Sequence, residues 1–296
     1  MAFFRGPEDN SGRLRQTVRS DPEIRDFGTS SQVSGFRRRT AVKAFRQLWT
    51  ILVSVALLLA LWEGIVRFSD ISPALLPSPF VVLKAIAELC RNGTLRQNIT
   101  DSLWRFAVGY VLAISTGTLL GILVGWYRVL FDYLNPILQF LRPIAPVAWM
   151  PFIVLFWGIG DLPAIVIIFI AAFFPVLLTT ARAVINLDPV YLKIAANYGV
   201  KSPSVLWKIV LPAVFPQIAN SFHIALGSAW IFLVSGEMVG TQSGLGYMIV
   251  DARNNMRSDH LLAAMVLVGA IGLILDLLIA RAELAILKFW GQTDVH

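Results

Sequence analysis

Charge is scarce in this sequence. Asp, Glu, Lys and Arg together make up 15% of the residues, where a soluble domain carries about 25%. Cysteine is nearly absent: Cys90 stands alone, which excludes an internal disulfide framework and any multi-thiolate metal site. The three histidines, His223, His260 and His296, have no metal-ligand spacing. No G-x-x-x-x-G-K-[ST] run is present to cradle a nucleotide phosphate. Paired in-span acids, a His–Glu motif or a Ser/Lys pair would argue for a membrane-embedded enzyme, and none occurs.

What fills the chain instead is apolar. Hydrophobic residues make up 56% of its 296 positions and the mean hydropathy is +0.69. Several runs reach the roughly 20 residues that cross a hydrocarbon core of about 30 Å. The fold class expected is therefore an all-α integral membrane protein. Six spans can be drawn, at about Leu48–Phe68, Phe106–Tyr127, Asn135–Trp157, Pro163–Ile185, Leu211–Met238 and Leu261–Leu284.

The net charge of +7 follows topology and gives no sign of nucleic acid. Ten of the 25 basic residues precede residue 48. With the N-terminus inside, 17 basic residues face the cytoplasm and seven face outward, leaving Arg142 uncounted. An even number of spans puts both termini in the cytoplasm. Residues 1–46 are polar and read as a disordered basic tail, with no signal cleavage site after the first apolar run. Arg37, Arg38, Arg39, Lys43 and Arg46 are placed to meet anionic lipid headgroups.

The outside segment from Ser69 to Trp104 contains "LPSPFVVLKAIAELC", which predicts a short helix on the outer interface, with Ser78 as N-cap, Pro79 next, and an exposed Lys84–Glu88 pair. In the second span Gly109, Ala113, Gly117, Gly121 and Gly125 recur every fourth residue. A face bare of bulk for that length predicts close helix packing in lipid. The third span holds Pro143, Pro146 and Pro151, and the fourth holds Pro175. Proline removes a helical hydrogen bond, and such breaks persist in membranes where protein or a water-filled cavity satisfies the freed backbone. The cluster makes Arg142, Pro143, Pro146 and Trp149 candidates for a solute path.

Ionisable residues inside spans are functional candidates by default. Arg142 can meet an anionic solute, pair with Glu237, or reach the membrane surface by snorkelling. Glu237 ends the fifth span, where a gate, a receptor contact and a solvated helix end are all open readings. Asp276 and His223 are each expected to find an interhelical partner, and Glu63 with Arg67 to form a surface pair.

The longest inside loop reads "LDPVYLKIAANYGVKSPSVLWKIVLPAVFP". Asp188 and Pro189 start a helix, Gly199 suits the left-handed turn that ends it, and a second helix begins near Ser202. Two short helices meeting at a glycine form a polar knob between apolar spans. Ala195, Gly199, Ile209, Leu211 and Pro212 fall in the register of the Glu-Ala-Ala signature carried by permease subunits of binding-protein-dependent ABC importers, which this chain resembles. Lys193 stands where that signature has Glu, and Ile194 where it has the first Ala. "LLPSP", "RPIAPVAWMPFIVLFWGIG", "SGLGYMIVDARN" and "LILDLLI", in that order, look like the subfamily importing nitrate, bicarbonate, taurine and other aliphatic sulfonates. The resemblance covers roughly Leu48 to Trp290.

The resemblance implies a type I importer permease with six spans in a bacterial inner membrane, and a homodimer of two permease copies around one path. It implies two ABC ATPase subunits that carry ATP and Mg, an extracytoplasmic solute-binding protein, and no cofactor on this chain. It places Lys193, Ala195, Ala196, Gly199, Val200, Ser202, Leu211 and Pro212 at the ATPase contact. The alternative is a self-contained secondary carrier or channel. That reading needs internal symmetry or an ion-coupling carboxylate cluster, and the sequence shows neither.

Overall fold

The structure is a computed structural model, which describes residues 49–50, 52–68, 72, 74–199 and 202–289. Among them there is no β-strand. The expected tail over 1–46 and Val200 lie outside the described residues. The chain divides into a unit ending at Leu61 and a second from Trp62 onward. Residues 52–68 form helix α1. The second unit continues with α2 (Pro79–Arg91), α3 (Thr94–Trp126), α4 (Arg128–Leu141), a 3-10 turn (Pro146–Trp149), α5 (Met150–Trp157) and α6 (Asp161–Ile185). After α7 (Pro189–Asn197) and α8 (Ser202–Val205), a π turn (Leu206–Val210) leads into α9 (Leu211–Gly240), followed by α10 (Leu245–Asn254) and α11 (Ser258–Phe289).

Four described helical segments are long and apolar enough to cross a membrane, or five if α4 and Pro146–Trp157 count as one bent span. The first expected span is described only over 49–50 and 52–68, so six spans stands as an expectation. The expected Asn135–Trp157 span is not one rod. Its helix starts earlier, at Arg128, and turns through 83° where Pro143 and Pro146 each remove a backbone donor. Pro175, by contrast, leaves α6 unbroken. The carbonyl it strands, that of Ala171 four residues back, accepts a hydrogen bond from the Ser228 hydroxyl of α9 at 3.2 Å, so protein satisfies the freed group.

The core is built on α3 against α6. A Cβ at Gly109 would lie 2.8 Å from the Ile165 carbonyl oxygen, at Gly121 2.7 Å from Thr180 Cβ, and at Gly125 2.6 Å from the Ala181 carbonyl oxygen. Gly117 faces Val176 at 3.2 Å, and Ala113 is fully buried. The small-residue stripe thus brings two backbones together, and in lipid that close packing takes the place of hydrophobic drive. On the other side α9 seals α6, and Trp230 of α9 donates from Nε1 to the Val268 carbonyl of α11 at 3.1 Å. Phe106, Tyr110, Ile168, Trp230 and Leu233 anchor this main cluster. A second cluster, with Ile122, Val184, Val205, Val210 and Val214, sits at the opposite end, under α7 and α8.

Helix α2 forms at the position expected, with Val82, Ala85 and Leu89 buried and Phe80 and Leu83 exposed. Lys84 and Glu88 do not pair. Lys84 lies 4.5 Å from the Phe80 ring centroid, and Glu88 reaches Arg257 at 3.5 Å. Arg257, in the α10–α11 turn, also binds Asp259 through two 3.0 Å contacts, which together push its pKa above the ordinary arginine value.

Candidate functional site

The knob between α6 and α9 is held from within. The Asp188 carboxylate accepts a hydrogen bond from the Val190 amide at 2.9 Å and caps α7, and Pro189 occupies the first helical turn. The helix stops at Tyr198. Gly199 adopts φ +64°, and its amide donates to the Ala196 carbonyl at 3.0 Å. That left-handed conformation is why glycine is needed, since nothing lies within 4 Å of where a Cβ would sit. Ala195 is buried in the second cluster, so its small side chain sets how closely α7 seats on the spans.

The outward side is different in kind. Lys193 and Ala196 are exposed, and Val190, Tyr191, Ile194 and Tyr198 are 52%, 46%, 47% and 82% exposed. Apolar and aromatic residues bared together on so small an element mark an interaction surface. Ser202 begins α8, and Leu211 and Pro212 open α9 directly after the π turn, partly buried beside the second cluster. A π turn inside a helix is uncommon and recurs at functional sites.

At the other end of the spans lies a buried polar knot. Arg105 of α3 is 3% exposed and Glu237 of α9 is fully buried, with Nη1 and Oε1 2.8 Å apart. The Ser102 hydroxyl donates to the Glu237 carboxylate and accepts from the Leu245 amide, each within 2.8 Å. The Gly246 amide also donates to Glu237, at 2.9 Å. Arg105 further donates to the Ser243 carbonyl and hydroxyl at 2.7 and 2.6 Å, and pairs with Asp161 at the start of α6. Asn98 accepts from the Gly244 amide at 2.6 Å. One guanidinium therefore ties α3, α6, α9 and the loop into α10, all its contacts matched to acceptors.

This corrects two expectations. Glu237 is neither a solvated helix end nor open to a path, because Arg105 and Ser102 enclose it. Arg142 does not pair with it. It caps α4, exposed, with no side-chain ion pair among the described residues. Pro143 is exposed beside it, Pro146 opens the 3-10 turn, and Trp149 packs partly buried against Met150, Ile153 and Ile167. His223 and Asp276 meet across α9 and α11 at 3.0 Å, and Glu63 with Arg67 at 2.8 Å.

The sequence did carry a signal for the knot. Asn98, Ser102 and Arg105 follow one another at i, i+4 and i+7, in line with Gly109 of the packing stripe. Placing the helix start at Phe106, on hydropathy, cut the stripe off from its polar end.

A family model described as "Binding-protein-dependent transport system inner membrane component" matches residues 117–287. The chain is 29% identical over 254 residues to the taurine transport system permease protein TauC of Escherichia coli (strain K12), covering 84% of this chain and 92% of that protein. It is 32% identical over 240 residues to the nitrate import permease protein NrtB of Synechocystis sp., covering 78% and 86%. A solved inward-facing structure of the MetNI methionine ABC transporter aligns with a TM-score of 0.50 at 18% identity, over 71% of this chain and 96% of that one, a likeness of fold.

Proposed function

The chain belongs to the family of binding-protein-dependent transport system inner membrane components, and on that premise we propose that it imports a small anionic solute (nitrate, bicarbonate, or an aliphatic sulfonate such as taurine), using ATP hydrolysed elsewhere. The observation that carries the coupling part is the α7–Gly199–α8 knob, seated by Ala195 and bare on its far side. Two ATPase subunits, which bind ATP and Mg, dock on that side of two permease copies. An extracytoplasmic solute-binding protein delivers the solute at the opposite end, and both termini lie in the cytoplasm.

Mechanically, α9 is the link. It runs from the π turn beside the knob to Gly240 at the polar knot, 30 residues, or about 45 Å of helix. When the ATPases close they displace α7 and α8, and the π turn passes that motion to α9. The Arg105–Glu237 pair fixes the far end of α9 to α3 and α10, so the helices tilt as a body about their tightly packed α3–α6 seam. The bend between α4 and α5 supplies irregular backbone and Arg142, which has no ion pair among the described residues and is a cation suited to a sulfonate or nitrate oxygen.

The test is reconstitution of the chain with its co-purifying subunits in liposomes, followed by uptake of labelled taurine and labelled nitrate. Uptake that needs ATP, the solute-binding protein and an intact Gly199 is expected. Equal uptake without ATP would return the chain to the carrier class.

A further inference from the structure

At the knob end of the spans a cavity of about 290 Å³ opens where α3 turns into α4. Trp126 and Arg128 come from that corner, Val184, Ile185 and Leu187 from the end of α6 and the turn after it, and Leu192 from α7. We infer that this cleft binds an anionic phospholipid, an acyl segment lying on the apolar wall and the headgroup phosphate on Arg128.

Position argues for lipid first. α3 and α6 are both span-length helices, and they end at Trp126 and Ile185. The cavity therefore sits at the edge of the hydrocarbon, the level where tryptophan anchors membrane proteins. Chemistry argues next. The wall is apolar, and the single lining cation, Arg128, is exposed and makes no ion pair or side-chain hydrogen bond among the described residues. Basic pockets between spans at this depth recognise lipid phosphates.

Charge supports the same assignment. Arg182, Lys193 and Lys208 stand on the surrounding elements, exposed and without ion pairs among the described residues. The acids nearby in sequence are Asp132 and Asp188, the second engaged in capping α7. The cavity lies near the lower limit of about 300–1,000 Å³ usual for ligand pockets. That admits part of one acyl chain.

The wall also includes Val210 of the π turn. A lipid there touches both α7 and the link into α9. On the coupling reading given above, it acts as a wedge that keeps the knob seated on the spans.

The experiment uses the full chain with its co-purifying subunits in phosphatidylcholine nanodiscs, without ATP, and a phosphatidylglycerol probe carrying a photoreactive acyl chain. Adducts are mapped by mass spectrometry. Labelling is expected at Trp126 and within 184–192, competed by unlabelled phosphatidylglycerol and not by phosphatidylcholine or inorganic phosphate. Arg128→Gln, at an exposed position, should lower that labelling about fivefold with unchanged melting temperature, and Ile185→Trp should lower it by filling the cleft. Competition by phosphatidylcholine or by phosphate would each overturn the assignment, as would undiminished labelling of Arg128→Gln. Because labelling is read without transport, a failure of ATP-driven uptake would count against the coupling reading and leave the lipid result standing.

Discussion

Replacing Arg105 with methionine keeps the bulk of the side chain and removes five donors from a site where nothing else can replace them. Glu237, with no exposed surface, would retain only Ser102 and the Gly246 amide, and the Ser243 hydroxyl would lose its guanidinium partner. Breaking one side of a buried ion pair costs about 3–5 kcal/mol. For a chain of this size each kcal/mol lowers the melting temperature by about 2–4 °C, so the fall should be on the order of 10 °C. Asp161→Asn removes the other carboxylate on the same arginine, but Asp161 is 59% exposed. An exposed pair contributes at most about 1 kcal/mol, a shift of a few degrees. Thermal unfolding in nanodiscs, followed by tryptophan fluorescence, gives both numbers. If Arg105→Met and Asp161→Asn fall equally, or if neither moves, the knot is not the desolvated anchor described above.

Three further outcomes follow from the same geometry. Gly199→Val forces a β-branched residue to φ +64° in open space, a strain of about 1–2 kcal/mol, so ATP-driven uptake should drop roughly tenfold, while Gly199→Asn, which tolerates that conformation, should keep most of it. Gly125→Val sets a side chain against the Ala181 carbonyl 2.6 Å away, and the helices must part, at a cost of about 1–3 kcal/mol visible as a lower melting temperature. Ala195→Leu overfills the second cluster beneath α7 and should speed proteolysis at Lys193 while the rest of the chain resists.

Local signals were legible where the cause is local. The Asp188 cap, the stop at Gly199 and the start at Pro79 all depend on residues within a few positions, and the glycine stripe on α3 announces its own packing. The bend at Pro143 and Pro146 was legible as a break, though its 83° turn was not, because an angle is set by what α5 packs against. Pro175 shows the opposite error. Its break is healed by Ser228, a residue 53 positions later in the chain, and only the fold brings the two together. Arg105 and Glu237 are separated by 132 positions. Each looked peripheral because hydropathy ranks a charged residue by its own cost and ignores a partner that offsets it.

If an ATPase docks on the α7–Gly199–α8 knob, as proposed, a photoreactive residue at Tyr198 should cross-link to it. Tyr198 is 82% exposed at the tip of the knob, and Met256, 87% exposed in the turn before α11 at the far end of the spans, serves as the control. In native membranes, position 198 should yield an adduct with a subunit carrying a phosphate-binding loop, and position 256 should not. An uptake-active chain whose Tyr198 adduct contains no such subunit, or gives the same adducts as position 256, would mean that the knob is not where the ATPase docks.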